Sequence, residues 1–429
     1  MNYILDYIMV PVQLIIIFFT LYYFFLAFFG MSRKTEKKIL TPKKAFAIIV
    51  AAHNEEQVIG PLVENLNLLD YPRELYDVFV VADNCTDKTG EIARNAGAIV
   101  HERFNLEERG KGFAMEWMFQ KLFRMKRHYD GVVIFDADNL VHPRFLLEMN
   151  NRLCKGEKVI QGYLDAKNPC DTWVSGTFAI SFWVVNHIWH LAKYNLGLSS
   201  VLGGTGMCIA TDVLEEFGWG ATCLTEDMEF TMKVLVKGIS TTWAHDAIVY
   251  DEKPLTFMQS WNQRKRWAQG HFDVAGRYIP SLIKESIRQK NIKLLDGVFH
   301  LLQPHFLLLS TIFLLINYLS YCFGPFYTNI LLTVFPVEVW TLVTLGQYLF
   351  PVIVLAKVHA PWKVWLYMLL YPLFIYSWVP ITVLGFIHRN DRVWSHTQHT
   401  RSISCHDILL SSHSGDFSKN NLLGKQAVK

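Results

Sequence analysis

The sequence predicts an α/β domain, a mostly parallel sheet with helices on both faces, set between transmembrane helices. Three observations predict it. Apolar runs at 45–51, 76–82 and 131–135 are each followed by polar or acidic residues, as buried parallel strands are. Helical patterns separate the first of them, the alternation that builds a sheet with its crevice at the strands' carboxyl ends. Much longer apolar runs lie on both sides, at 4–29 and from 298 onward.

The first element is the run 4–29, apolar apart from Asp6 and Gln13 and longer than the ~20 residues a bilayer crossing needs. No cation precedes it and no small-residue cleavage site follows, so it reads as a span and not as a signal peptide. Arg33, Lys34, Lys37, Lys38, Lys43 and Lys44 come next, which places the following segment on the cytoplasmic side by the positive-inside rule.

The soluble elements then come in order. Residues 45–51 form a strand ending near His53-Asn54-Glu55, and 57–69 a helix. Residues 76–82 form a strand ending at Asp83-Asn84-Cys85-Thr86-Asp87, followed by a helix to Asn95 and a short strand at 98–101. Residues 131–135 form a strand that ends on Asp136. Downstream, runs near 298–323, 330–356 and 362–387 are each long enough to span, with Pro304, Pro336, Pro351, Pro372 and Pro380 predicting kinks or breaks. Lys357 and Lys363 put one loop inside, and Arg389, Arg392 and Arg401 put the tail inside, so one of the three runs is interfacial or re-entrant. The tail from about 411 is polar and reads as disordered. The expected organisation is a span at 1–30, a cytoplasmic domain at 45–277, an interfacial helix region at 278–296, membrane helices at 297–388 and a tail at 389–429.

Composition narrows the class. Of 429 residues, 51% are hydrophobic and 14% aromatic, above the usual soluble range. The formal charge of +3 is too small to argue for nucleic acid. The 7 cysteines (85, 154, 170, 208, 223, 322 and 405) include no C-x-x-C pair, which excludes a disulfide framework or zinc site as the organising principle.

Three motifs carry chemistry. Asp136 and Asp138 lie two apart at a strand end, where alternation would point both the same way and let one divalent ion bridge them to a diphosphate; the bland alternative is a helix cap or a solvated turn. Glu226 and Asp227 follow Thr225, which would cap a helix starting at Met228, while a carboxylate there would serve as a base for an attacking hydroxyl. Gly203-Gly204-Thr205-Gly206 offers a backbone open to close approach. Gln263, Arg264, Lys265, Arg266 and Trp267 have helical spacing. They suit either a membrane-surface helix or an arginine for a leaving diphosphate beside a stacking tryptophan. Asp83 and Asp87 flank a loop whose short polar groups would cap the next helix, or in which Asp83 would accept from a base-ring N–H of a nucleotide, and one loop has room for both roles. Gly110-Lys111-Gly112 is a flexible basic turn near base or phosphates. His245 and Asp246 read as structural or pocket-adjacent, and His53 as a loop residue.

The order Asp83, Asp136-x-Asp138, Thr225-Glu226-Asp227, Gln263-x-x-Arg266-Trp267 resembles the membrane-embedded family-two glycosyltransferases, which include cellulose, hyaluronan and poly-N-acetylglucosamine synthases. The match covers roughly residues 45–277, and residues 391–397 are similar to a W-x-x-T segment of relatives. The resemblance implies a GT-A fold, a UDP-sugar donor, Mg²⁺ or Mn²⁺, and inversion to a β-linkage. It implies that Asp83 binds uracil, with the loop Ala52 to Glu55 beside it. Lys111 and Asp136 would lie at the donor, Asp138 would ligate the metal, and Asp227 with Glu226 would provide the base. Gln263, Arg266 and Trp267 would close over diphosphate and acceptor.

The expected activity is sugar transfer, from UDP-glucose or UDP-N-acetylglucosamine, to a growing polysaccharide at the cytoplasmic face of the cell membrane. The enzyme would be multi-pass and in contact with membrane lipid. The helix set is smaller than polymer-threading synthases use, so accessory export subunits enter as partners. Two alternatives stand: a non-processive enzyme adding one sugar to a glycolipid acceptor, and a silent nucleotide-sugar-binding subunit.

Overall fold

The computed structural model describes residues 5–220, 222–325, 327–334 and 336–391. Among them, eight strands form one sheet: β1 (Phe46–Ala52), β2 (Tyr76–Asp83), β3 (Ile99–Arg103), β4 (Gly131–Asp136), β5 (Leu140–Val141), β6 (Val159–Ala166), β7 (Met207–Ala210) and β8 (Thr241–Asp251). Their spatial order is β3-β2-β1-β4-β7-β6-β8-β5. The first four are parallel, β7 runs against β4 and β6, and β8 lies parallel to β6. The sheet is therefore mixed, with the predicted parallel half intact.

The apolar runs become strands because both faces of the sheet are covered. Phe46, Ile48, Ile49, Val50, Val132, Val133, Ile134 and Phe135 are wholly buried. At about 1.5–3 kcal/mol per large apolar side chain, this core is the main reason the strands hold. Register then sets the chemistry: Ala51 pairs with Asp136, Asp83 with Arg103, and Ala166 with Asp251, so these strand-end residues share one edge of the sheet.

The helices, in chain order, are α1 (Asp6–Phe29), α2 (Ile59–Asn67), α3 (Thr89–Asn95), α4 (Lys111–Leu122), α5 (Phe145–Cys154), α6 (Trp173–Val185), α7 (Ala192–Leu196), α8 (Thr211–Phe217), α9 (Glu226–Val236) and α10 (Phe257–Gln289). After them come α11 (Ile292–Leu301), α12 (Gln303–Phe323), α13 (Ile330–Val334), α14 (Val337–Lys357), α15 (Trp362–Tyr367), α16 (Tyr371–Tyr376) and α17 (Trp378–Ile387). A π-helical turn, Asn186–Leu191, joins α6 to α7.

Among the described residues, two helices, Asp6–Phe29 and Gln303–Phe323, are long and apolar enough to cross a membrane. The polar residues inside α1 are satisfied by the loop after α12. Asp6 accepts from Thr328 N and Oγ1 at 2.6 and 2.7 Å, and Gln13 donates to Thr328 O at 3.0 Å. The last apolar run is broken into α15, α16 and α17, with Pro372 in the first turn of α16 and Pro380 inside α17. A proline removes a helix hydrogen bond and clashes with the preceding turn. The expected tail segment 392–397 and Cys405 lie outside the described residues; the other six cysteines are unpaired.

The cations after α1 tie that helix to the domain. Arg33 and Lys38 pair with Asp246, Lys38 also pairs with Glu148 at 2.7 Å, and Glu36 pairs with Arg152 at 2.7 Å. Asp246 is thus a structural anchor. The boundary drawn at 277 falls inside α10, a 33-residue helix started by a Thr256–Gln259 capping box.

Candidate active site

The site is built at the carboxyl end of β4. The Asp136 N–H lies 3.0 Å from Asn139 Oδ1 and 3.1 Å from Thr205 Oγ1, and the Thr205 hydroxyl donates to Asn139 Oδ1. That triangle fixes the glycine loop against the acidic loop. Buried Gln161 supports it from below, accepting from Gly203 N at 2.8 Å and donating to Thr205 O at 2.9 Å. Gly204 sits at φ +82, a conformation that glycine alone adopts without strain. A Cβ there would stand 3.4 Å from Asp227 Oδ2, so the loop and that carboxylate line the same space.

The strand expected to carry both Asp136 and Asp138 is shorter than that. The strand stops at Asp136, and the next two residues form a turn, so the strand alternation does not reach Asp138. Asp136 Oδ1 accepts from Lys111 Nζ at 2.5 Å; Asp138 Oδ2, nearly buried, accepts from the Glu252 N–H at 3.1 Å. Both still act on Asp251 at the end of β8. Burial pushes Asp251 up to about 6, Lys253 opposes this, and Asp138 and Asp136 add to the rise.

Lys111 joins the acidic motifs. Its ammonium donates to Asp136 and, at 2.6 Å, to Gly204 O. Burial alone would lower its pKa, but Asp136, Glu226 and Asp227 outweigh burial and raise it. For Glu226 and Asp227 burial is the leading cause of upward shifts, with Asp227 raised further by Glu226 and both drawn back by Lys111. Arg266 also stabilises the Glu226 carboxylate, which brings the arginine of α10 into the same field.

The Thr225 cap is a second correction. The helix begins at Glu226, not Met228, and the Thr225 side chain makes no capping bond. Thr225 packs instead on α10, where a Cβ at Gly270 would stand 2.9 Å from Thr225 Cβ. The missing β-carbon is what lets the two motifs touch.

On α10 the basic cluster divides. Arg264 is wholly buried, donating to Ser377 Oγ at 2.8 Å and Phe374 O at 3.2 Å and lying 4.2 Å over the Phe374 ring. It anchors α10 to the broken run α16–α17. Trp267 packs its ring near Phe178 and Phe182, at 5.9 and 6.3 Å between centroids. Gln263 carries a buried Oε1 with no hydrogen-bond partner among the described residues.

The loop expected at the nucleotide base is formed by the ends of β1 and β2. Asp83 Oδ1 accepts from buried Arg103 at 2.7 Å and from Asn84 at 3.2 Å. His53 Nδ1 lies 2.7 Å from Asp83 O, and Ala52 O accepts from Cys85 Sγ at 3.4 Å. Glu55 is buried, with its N–H on Thr89 Oγ1 at 2.8 Å. Asp87 Oδ1 accepts from Thr89 N at 3.0 Å and Thr89 Oγ1 at 2.6 Å, while the N-cap of α3 is Lys88, whose side chain makes no capping bond.

Carboxylate oxygens are the donors that suit Mg²⁺ or Mn²⁺. Among the described residues, no group of three His, Cys, Asp or Glu side chains is placed to hold an ion unaided. Asp136, Asp138 and Asp251 bring such oxygens to the carboxyl ends of the strands. Sequence reasoning missed Arg103, Asn139, Gln161, Asp251 and Lys253. Asp251 had a signal, since it closes a strand as Asp83 and Asp136 do. A cavity of about 400 Å³ lined by Lys44, Tyr129, Asp130, Lys158 and Asp212 lies at the other edge of the sheet, away from these groups.

Residues 42–270, more than half of the chain, match the family described as "Glycosyltransferase like family 2". A probable glycosyltransferase of Bacillus subtilis is 24% identical over 259 residues, 57% of this chain and 59% of the relative. A beta-monoglucosyldiacylglycerol synthase of Nostoc is 28% identical over 252 residues, 56% of this chain and 52% of the relative. A poly-beta-1,6-N-acetyl-D-glucosamine synthase of Staphylococcus epidermidis is 22% identical over 296 residues, 66% and 70% of the two chains. The chain thus spans little more than half the length of the first two. Among solved structures, a mannosyltransferase from Pyrobaculum calidifontis, in complex with GDP-Man and Mn²⁺, superposes with a TM-score of 0.60 at 17% identity. The match covers 90% of this chain and 99% of that one, a likeness of fold.

Proposed function

The chain belongs to glycosyltransferase family 2 and has a GT-A-like α/β fold, and on that premise we propose an inverting transfer from a UDP-sugar to a hydroxyl held at the cytoplasmic membrane face. The observation that carries this reading is the convergence of Lys111, Asp136, Glu226, Asp227 and Arg266 in one electrostatic field.

In this account Asp227 takes the acceptor proton, with its raised affinity for a proton suited to that task. The acceptor oxygen bonds to the anomeric carbon from the face opposite the leaving UDP, and the bond from that carbon to the diphosphate oxygen breaks. Inversion follows. Arg266 and Lys111 offset the negative charge that grows on the diphosphate. Asp138, with Asp136 nearby, would hold a Mg²⁺ or Mn²⁺ ion, which supplies further charge neutralisation there. Asp83, fixed by Arg103, accepts from the uracil ring, with Ala52 and Glu55 beside it. Gln263 and Trp267 border the acceptor.

For the acceptor we favour a membrane lipid that receives one sugar, with glucose as the sugar. Relatives of that printed activity reach 28% identity, and the broken apolar run α15–α17 packs on α6 and α10 beside Trp267. A lipid-borne hydroxyl would arrive from that side. The second reading, extension of a β-linked polysaccharide with accessory export subunits, has the Staphylococcus relative in its favour. The domain is read as 45–277, cytoplasmic and held by α1 and further carboxyl-terminal spans, because cations follow α1 directly.

The test is purified full-length chain in lipid with radiolabelled UDP-glucose, UDP-N-acetylglucosamine or GDP-mannose and Mg²⁺ or Mn²⁺. A solvent-extractable product bearing one sugar supports the lipid reading. Product retained as long chains supports the polysaccharide reading, and no transfer from any donor supports a silent subunit.

A further inference from the structure

The two carboxylate oxygens of Asp83, at the end of β2, are in different states. Oδ1 accepts from Arg103 Nη1 at 2.7 Å and from Asn84 Nδ2 at 3.2 Å. Among the described residues no hydrogen bond reaches Oδ2. A carboxylate oxygen has about two acceptor sites, so Oδ1 is filled and Oδ2 is open.

Neither donor is free to swing away. Arg103 is buried, is the register partner of Asp83 on β3, and donates from the same Nη1 to Glu108 O at 2.9 Å. The Asn84 amide is used at both ends. Its Nδ2 also donates to Asn105 O at 3.1 Å, and its Oδ1 accepts from Asn105 N at 2.8 Å. Asn84 holds this pose at φ +52, a left-handed conformation that asparagine adopts more readily than most residues. Its own N–H lies 2.7 Å from Arg103 O, so the loops after β2 and β3 grip one carboxylate between them.

We propose that Arg103 and Asn84 set the base preference of the donor site, by filling Oδ1 so that Asp83 offers a base one acceptor oxygen. A uracil edge presents a single N–H, at N3, between two carbonyls, and one oxygen satisfies it. Guanine presents two adjacent donors, N1–H and the 2-amino group, which a carboxylate meets with both of its oxygens. With Oδ1 taken, the 2-amino group has no acceptor, and a desolvated donor left unpaired weakens binding about tenfold or more. Arg103 and Asn84 act through Asp83 and are positioning residues. The inference rests on the reading of Asp83 as the base-binding carboxylate of a UDP-sugar site.

The experiment titrates nucleoside diphosphates into the full chain in lipid nanodiscs with Mn²⁺, read by calorimetry. Inosine diphosphate and GDP share ring, ribose, diphosphate and N1–H and differ in the 2-amino group, so ring size cancels between them. Wild type is expected to bind UDP most tightly, and inosine diphosphate about tenfold or more tighter than GDP. 3-Methyl-UDP, which lacks the N3–H, should lose most of the UDP affinity. Asn84→Gly accepts the positive φ, opens one site on Oδ1 and should shrink the inosine-over-guanosine ratio severalfold. Structural damage alone would weaken both purines alike and leave that ratio where it was. GDP binding wild type as tightly as inosine diphosphate overturns the proposal without any variant, and so does an unchanged ratio in folded Asn84→Gly protein. Undiminished binding of 3-methyl-UDP overturns the Asp83 reading, and GDP tighter than UDP overturns the UDP-sugar reading, each taking this proposal with it.

Discussion

Lys111 Nζ lies 2.5 Å from Asp136 Oδ1 and also donates to the backbone of Gly204, so one ammonium joins the end of β4 to the glycine loop beside Asp227. It is the cation that draws the Asp227 carboxyl back toward its ionised form. A base must be deprotonated to act, so the rate should climb as pH rises through the Asp227–Glu226 titration, above the ordinary carboxylate range. Lys111→Met removes the stabilising charge. That limb should move to higher pH, with transfer at neutral pH reduced by about a hundredfold. A pH–rate profile of the two proteins checks both the direction and the size.

Gly270 tests whether the acidic motif and α10 must touch. Gly270→Ala places a Cβ against Thr225, and overpacking of this kind costs about 1–3 kcal/mol. Transfer should fall further than stability does, because the change separates Asp227 from Arg266. Adding Thr225→Ser, which removes the methyl carbon 2.6 Å from the new atom, should restore part of both. Thermal unfolding and turnover, compared across the double-mutant cycle, give the coupling.

How much of this was legible in the residues follows from the same contacts. Strands β1, β2 and β4 were readable to within a residue or two because doubly covered parallel strands are unbroken apolar runs, while β3, a half-exposed strand at the sheet edge, carries only a short apolar start. Strand β8 was not readable, since Thr241, Thr242, His245 and Asp246 interrupt its pattern, and β5 has only two residues. Thr225 looked like a cap because Thr-Glu-Asp before a helix is a capping sequence; its partner Gly270 lies on a different helix. Arg264 and Arg266 could not be told apart, since only the packing of α16–α17 decides which face of α10 is interior. The sequence order of the acidic residues was informative, while their convergence depended on a glycine loop at positive φ.

Arg103 and Asp83 form a buried pair at 2.7 Å, with side chains 4% and 6% exposed. Arg103→Leu would strand the carboxylate, at a cost of about 3–5 kcal/mol. Combining it with Asp83→Asn should recover much of that stability while donor affinity stays weak. Chemical denaturation and UDP titration separate the structural share from the binding share.

The Asp138 assignment is checked by UDP binding with and without metal. In wild-type protein, Mn²⁺ should strengthen UDP binding and a chelator should reverse the gain. In Asp138→Asn the gain should drop by at least about tenfold. Calorimetry reads this without turnover, so a loss of the base would not be mistaken for a loss of the ion.

The most direct measurement of the whole account is single-turnover transfer by Asp227→Asn beside wild type, at matched UDP-sugar occupancy in the same bilayer. A folded variant that holds donor normally and transfers about a thousandfold more slowly is the predicted result. Transfer within a few fold of wild type would contradict it, and would mean that the proton leaves the acceptor by another route.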